Sequence, residues 1–252
     1  MPGSDHSIGM LLTPDHVGRV YRTVERPSER TDNHLTPLSD VEKKETGRRL
    51  AHECHGGPLW LFVYGSLLWK PAFDHLEKLR AVVYGWRRAF CLSICNFRAT
   101  PDKPGLMLAL ARGGSCLGAV FRLPDDDREA RLLTLLKCEI SYHEDIPALR
   151  WVNATTGDGK VRALAFYCAH SADPDFVYHS EDEQAQRLAQ AVGYAGSCAE
   201  YLYNTVVHFE EMGIRDTYLW RMQALVAREI ELHFSIRPPG PNAATELPAD
   251  PG

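Results

Sequence analysis

The stretch Leu59-Trp60-Leu61-Phe62-Val63-Tyr64-Gly65-Ser66-Leu67-Leu68-Trp69 ends an apolar run in a glycine and a hydroxyl. A continuous apolar run bounded by Gly reads as a buried strand. Gly65 then permits a turn in which successive backbone N–H groups point at one spot. Such a turn can hold a carboxylate or a developing oxyanion. Ser66 invites a serine-nucleophile reading, but the nucleophile elbow requires a small residue two positions later, where Leu68 stands. A tight turn without any ligand satisfies the same local pattern.

A base to accompany this turn is offered by Glu139. It follows Leu135-Leu136-Lys137-Cys138 at the C-terminal end of an expected helix. The negative end of the helix dipole and the apolar neighbours both disfavour its charged form, which raises the pKa toward the range wanted in a general acid or base. A surface glutamate at a frayed helix end is the bland alternative. Glu144 and Asp145 lie close by, among polar neighbours that suit solvated carboxylates. Further on, Ser197 and Glu200 have the spacing of a capping box. Tyr201 then falls in the first turn of a helix, as a core residue or with its hydroxyl reaching a polar ligand. His52, Cys54 and His55 form the one dense group of potential metal ligands, with no second pair at zinc spacing to complete it.

Composition narrows the class of chemistry. Hydrophobic residues make up 44% of 252 residues, enough for a substantial core. The formal net charge of −5, with no basic block, argues against a nucleic-acid partner. No segment approaches the roughly 20 apolar residues that cross a bilayer, and the N-terminus lacks the pattern of a signal peptide. The seven cysteines are odd in number and scattered, so they read as reduced thiols rather than a disulfide framework. A cytoplasmic location is expected.

The elements that must position these residues follow from periodicity and punctuation. Residues 1–57 read as an N-terminal arm, partly disordered, carrying one short helix capped by Ser39 or Asp40. His55-Gly56-Gly57-Pro58 punctuates the chain, and a folded domain is expected over 58–235, followed by a flexible Pro-rich tail at 236–252. Leu79–Tyr84 and Trp86–Ile94 look like strands. Leu106–Ala111 and Cys116–Leu123 look like a hairpin turning at Gly113-Gly114. A helix begins at Asp125-Asp126-Asp127, and a second hairpin turns at Thr156-Gly157-Asp158-Gly159. Helical spacing covers Glu183–Val192, Ser197–Met212 and Asp216–His233. Strands precede helices, so the class is α+β.

Taken together, the segments resemble the ChaC family of γ-glutamylcyclotransferases, particularly its bacterial branch. The resemblance is carried in order by Val63-Tyr64-Gly65-Ser66-Leu67-Leu68-Trp69, Gly85-Trp86-Arg87-Arg88-Ala89-Phe90-Cys91-Leu92, Lys103-Pro104-Gly105-Leu106, Gly118-Ala119-Val120-Phe121-Arg122-Leu123, Leu135-Leu136-Lys137-Cys138-Glu139 and Ala199-Glu200-Tyr201-Leu202. It implies a small mixed β-barrel flanked by helices. It also implies cleavage of glutathione to 5-oxoproline and cysteinylglycine, with no metal or organic cofactor and only a small molecule as partner. Carried over by position, Val63, Tyr64, Gly65, Ser66, Leu67 and Leu68 hold the γ-glutamyl group, Glu139 is the proton acceptor, and Tyr201 lies near the substrate. Two positions depart from the family pattern: Cys138 stands where an arginine often precedes the glutamate, and Leu106 where an arginine often follows Pro-Gly. Other γ-glutamyl peptides or amines as substrates, and a non-catalytic γ-glutamyl-binding regulator, are the competing readings.

Overall fold

The structure is a computed structural model that describes residues 9–27, 35–169 and 175–234. Its centre is a closed barrel of β1 (Trp60–Val63), β2 (Glu77–Ile94), β3 (Gly105–Arg122), β4 (Arg150–Thr156) and β5 (Gly159–Ala165), in the order β1-β3-β2-β4-β5, with helices packed around it, an α+β fold. Strand β1 (Trp60–Val63) is buried at every position. It lies antiparallel to β3 (Gly105–Arg122) and parallel to β5 (Gly159–Ala165), so both of its edges and both of its faces are covered. That is why its sequence is a continuous apolar run rather than an alternation. The barrel is accordingly mixed.

The middle of the barrel corrects the expected strand plan. Leu79–Tyr84 and Trp86–Ile94 form one strand, β2 (Glu77–Ile94), and Gly113-Gly114 lies inside β3 instead of turning a hairpin. Tyr84 pairs with Ser115 and Trp86 with Arg112, so Gly85 faces two glycines in a β-bulge. All three have positive φ, at 82°, 90° and 72°, where a side chain would be strained. The chain reverses instead between Ile94 and Gly105, which are paired. A pair of glycines reads locally as a turn; only the common partner strand on both sides of it makes it a bulge.

The second hairpin is as expected, with β4 (Arg150–Thr156) and β5 closing at Thr156 and Gly159. Helix α2 (Asp40–His52) is capped by Ser39, whose hydroxyl accepts from the N–H of Glu42 while the Glu42 carboxylate takes the Ser39 N–H. Such a cap contributes about 1 kcal/mol. It packs on α3 (Arg128–Glu139), whose buried stripe is Leu132, Leu135 and Leu136. Asp127 caps α3 in a left-handed conformation. Three helices on the other side, α4 (Glu181–Gln190), α5 (Cys198–Glu211) and α6 (Thr217–His233), pack on one another.

The arm holds more regular structure than its composition suggested. Thr13 caps a further helix, α1 (Pro14–Val20), which rests on α5 and α6. The N–H groups of Leu11 and Leu12 both donate to the buried Gln223 side chain of α6, at 2.8 Å each. Burial of Leu12, His16 and Val20 fixes a segment that has no long periodic stretch to announce it. The expected tail at 236–252 lies outside the described residues. No described helix is long and apolar enough to cross a membrane. Cys54, Cys91, Cys116, Cys138, Cys168 and Cys198 are free thiols.

Candidate active site

Beyond Val63 the chain leaves the barrel wall, and Ser66–Leu68 make a single 3-10 turn. The Leu68 N–H donates to the Gly65 carbonyl and the Trp69 N–H to the Ser66 carbonyl, both at 3.0 Å. Among the described residues no acceptor takes the N–H of Gly65, Ser66 or Leu67. Three successive donors are therefore left without a protein acceptor at the end of β1, groups that an anion can use. Close approach of β1 to β3 depends on Gly118, because the Val63 carbonyl and the Phe62 ring occupy the space of a side chain there.

Gly65 itself is needed for space and not for a left-handed backbone. Its φ of −133° lies outside the left-handed region. A Cβ built on it would lie 3.3 Å from the Tyr201 hydroxyl, tighter than ordinary packing. That hydroxyl also pairs with the Ser66 side chain. Tyr201 is buried in the first turn of α5, edge-on to Phe90, with the Arg98 guanidinium 5.8 Å from its ring centre. Burial pushes its pKa up to about 12, so it remains a neutral hydroxyl able to donate.

Glu139 is the last residue of α3, and Ile140 turns away in an extended conformation. Burial alone raises its carboxyl from the ordinary 4.5 to about 7. Among the described residues no cation offsets this burial, which leaves it balanced between protonation states near neutral pH. Its charge is felt by Tyr201 and by Tyr167. Glu139, Tyr201 and the Gly65 turn thus share one end of the barrel. The rival carboxylates are structural: Glu144 accepts from the Thr36 N–H at 3.0 Å, and Asp145 from those of Ser141 and Tyr142 at 2.8 and 2.9 Å.

Not every expected residue contributes through its side chain. Val63 and Leu68 are buried in the core, and the Tyr64 ring turns inward, its hydroxyl donating to the Phe166 carbonyl at 2.9 Å. These residues shape the turn by backbone. Glu200 departs from the expected capping box. Ser197 does accept the Glu200 N–H at 3.0 Å, but the Glu200 carboxylate pairs instead with Arg98 at 2.7 Å. The His52–His55 segment does not gather into a metal site; among the described residues no three His, Cys, Asp or Glu side chains do so. A cleft of about 540 Å³ lies beside Phe73 and the first half of α3, and includes neither Glu139 nor Gly65.

Arg88 escaped sequence reasoning. Only 3% exposed, it donates to the Tyr64 carbonyl and the Leu117 carbonyl, at 2.7 Å each, and pairs with Asp216. It thereby ties the turn to β3 and to the N-terminus of α6, which Asp216 caps through the Leu219 N–H. Nothing in the Arg87-Arg88 dipeptide says which guanidinium is buried except the strand alternation that the Gly85 bulge resets.

Residues 59–229 match the family described as ChaC-like protein. The chain belongs to the ChaC-like family. A similar relative, the glutathione-specific gamma-glutamylcyclotransferase of Escherichia coli K12, is 36% identical over 165 residues, covering 64% of this chain and 69% of that one. Gamma-glutamylcyclotransferase 2-3 of Arabidopsis thaliana is 26% identical over 171 residues, 64% of this chain and 84% of that protein. Among solved structures, the yeast gamma-glutamyl cyclotransferase specific to glutathione has the same fold, with a TM-score of 0.60 at 19% identity over 70% of this chain and 98% of that one. Of the two departures noted in this ChaC-like chain, Leu106 is fully buried in the barrel and Cys138 is exposed. Neither adds a charge beside Glu139.

Proposed function

We propose that the protein is a glutathione-specific γ-glutamylcyclotransferase that converts glutathione to 5-oxoproline and cysteinylglycine, with Glu139 as the base. One observation supports this above the others: a carboxyl lifted to about 7 by burial acts on Tyr201, whose hydroxyl pairs with Ser66 of the turn that carries three unclaimed N–H groups. The curated E. coli relative supports the choice of substrate. The γ-glutamyl α-nitrogen attacks the γ-carbonyl carbon, forming the ring C–N bond, and the bond to the cysteine nitrogen breaks. Glu139 takes one proton from the α-ammonium and passes it to the leaving nitrogen, and the second proton that the ring nitrogen sheds as its C–N bond forms completes the leaving ammonium. The nucleophile belongs to the substrate, so Ser66 need not act as one.

The turn at Val63, Tyr64, Gly65, Ser66, Leu67 and Leu68, with Tyr201 against it, holds the γ-glutamyl group in a near-attack conformation. In this reading its N–H donors serve the substrate carboxylate or the oxyanion, where one donor contributes about 2.7–4 kcal/mol to rate acceleration. A merely regulatory binder of the same group gains little from a buried base. The free thiols and the net charge of −5 fit a cytoplasmic enzyme acting on a small molecule. The test is to incubate purified protein with glutathione and, separately, with other γ-glutamyl peptides and amines, and to follow 5-oxoproline by mass spectrometry. Release from glutathione above all others is expected. Release only from other compounds changes the substrate, and none from any compound rejects catalysis.

A further inference from the structure

The end of α3 is held in an unusual way. A helix leaves its last carbonyls without partners, and a glycine beyond the end commonly allows a closing turn. Here Ile140 and Ser141 follow Glu139, and Ile140 is extended. The orphan carbonyl of Glu139 is taken by the Tyr167 hydroxyl. Burial lifts the Tyr167 pKa well above that of an ordinary tyrosine, so this hydroxyl stays protonated and remains a donor.

Tyr167 sits just past β5 with a φ of 50°, a left-handed conformation that a bulky residue rarely adopts. The surroundings hold it there. Its carbonyl accepts from the Leu110 N–H at 2.9 Å, and the next N–H, of Cys168, donates to the Ala148 carbonyl at 2.9 Å. The Tyr64 hydroxyl donates to the Phe166 carbonyl at 2.9 Å and approaches the Tyr167 carbonyl at 3.4 Å. Strained residues persist where neighbours over-determine them, and such places cluster at working sites. Tyr64 is also the residue from which the cradle turn begins. A continuous bracket therefore runs from the turn through Tyr64 and the 166–167 backbone to the Tyr167 hydroxyl and the end of α3.

We propose that Tyr167 is a positioning residue: by holding the Glu139 carbonyl it fixes where α3 stops and so where the Glu139 carboxyl stands relative to the cradle, with Tyr64 joining the two. The inference rests on Glu139 being the base. A catalytic group displaced by about 1 Å commonly costs on the order of a hundredfold in rate. Substrate binding through the turn, in contrast, does not depend on the end of α3.

The experiment compares Tyr167→Phe, Glu139→Gln and the double variant in steady-state 5-oxoproline formation from glutathione and in calorimetric glutathione binding. Tyr167→Phe should lower kcat about ten- to a hundredfold with KM near that of the wild type. In the Glu139→Gln background the same change should leave glutathione affinity unaltered. Wild-type kcat in Tyr167→Phe beside an inactive Glu139→Gln overturns the positioning role and leaves the base standing. Equal loss of affinity with and without the Glu139 carboxylate also overturns it, since Tyr167 would then support the cradle or the fold at large. An active Glu139→Gln instead removes the base itself. Should Tyr167→Phe not fold, Tyr64→Phe deletes one hydroxyl under the same bracket, and a wild-type kcat in that variant is the overturning result.

Discussion

Glu139→Gln has a consequence for stability as well as for turnover, and the two can be measured apart. Folding raises the carboxyl from 4.5 to about 7 through loss of hydration. At about 1.36 kcal/mol per pH unit, that difference corresponds to about 3 kcal/mol, an upper figure because the half-buried side chain keeps some solvent contact. Below pH 4.5 the carboxyl is protonated in both folded and unfolded chains and carries no penalty. As pH rises from 4.5 to 7 the unfolded chain ionises while the folded one retains its proton, and stability falls. Above 7 the penalty is complete. Glutamine keeps the shape without the charge, so the variant should match the wild type at pH 4 and exceed it by up to about 3 kcal/mol at pH 8. For a chain of this size that is about 6–12 °C in melting temperature. Denaturant titrations of both proteins at pH 4, 6 and 8 measure the difference directly. Turnover should fall by about a hundredfold or more, as for removal of other general acid–base groups. A stability difference that does not change between pH 4 and 8, or wild-type 5-oxoproline release by the variant, would refute the reasoning.

Three further outcomes are expected. Gly65→Ala should weaken glutathione binding by crowding the Tyr201 hydroxyl, and should cost nothing further in a Tyr201→Phe background; additive losses in a double-mutant cycle would contradict that contact. Ser66→Ala should retain kcat within about tenfold, because Ser66 pairs with Tyr201 and is not needed as a nucleophile, whereas a fall of about a thousandfold or more would restore that role. Arg88→Met leaves Asp216 without its buried partner and should cost about 3–5 kcal/mol by denaturant titration. Arg88→Lys should recover little of it, since one ammonium cannot reproduce the fork that meets Tyr64, Leu117 and Asp216. A loss below about 1 kcal/mol in Arg88→Met would show that the clamp contributes only as a surface pair does.

The sequence alone determined the features that a few neighbouring residues encode. The apolar run into Tyr64-Gly65 read as a strand covered on both faces. Ser39 or Asp40 marked the start of α2, the glycine-bearing Thr156–Gly159 turn closed β4 on β5, and the apolar residues before Glu139 singled it out as a candidate base, with a surface glutamate left as the alternative until the fold buried it. Tertiary structure decided whatever depends on partners far along the chain. Gly113-Gly114 became a bulge because Leu110 and Leu117 both pair with β2, at Arg88 and Val82. Gly65 read from its type only as a residue that lets the chain turn; that the Tyr201 hydroxyl, more than a hundred residues away, is what crowds a side chain there follows from the fold. Glu200 had a local partner in the Ser197 backbone and took Arg98 instead, since a charge-assisted bond to a guanidinium is stronger than one to an amide. Strand alternation was the one local signal at Arg88, and nothing local marked the role of Tyr167. Their roles come from acceptors supplied by strand register and helix ends, which no window of adjacent residues contains.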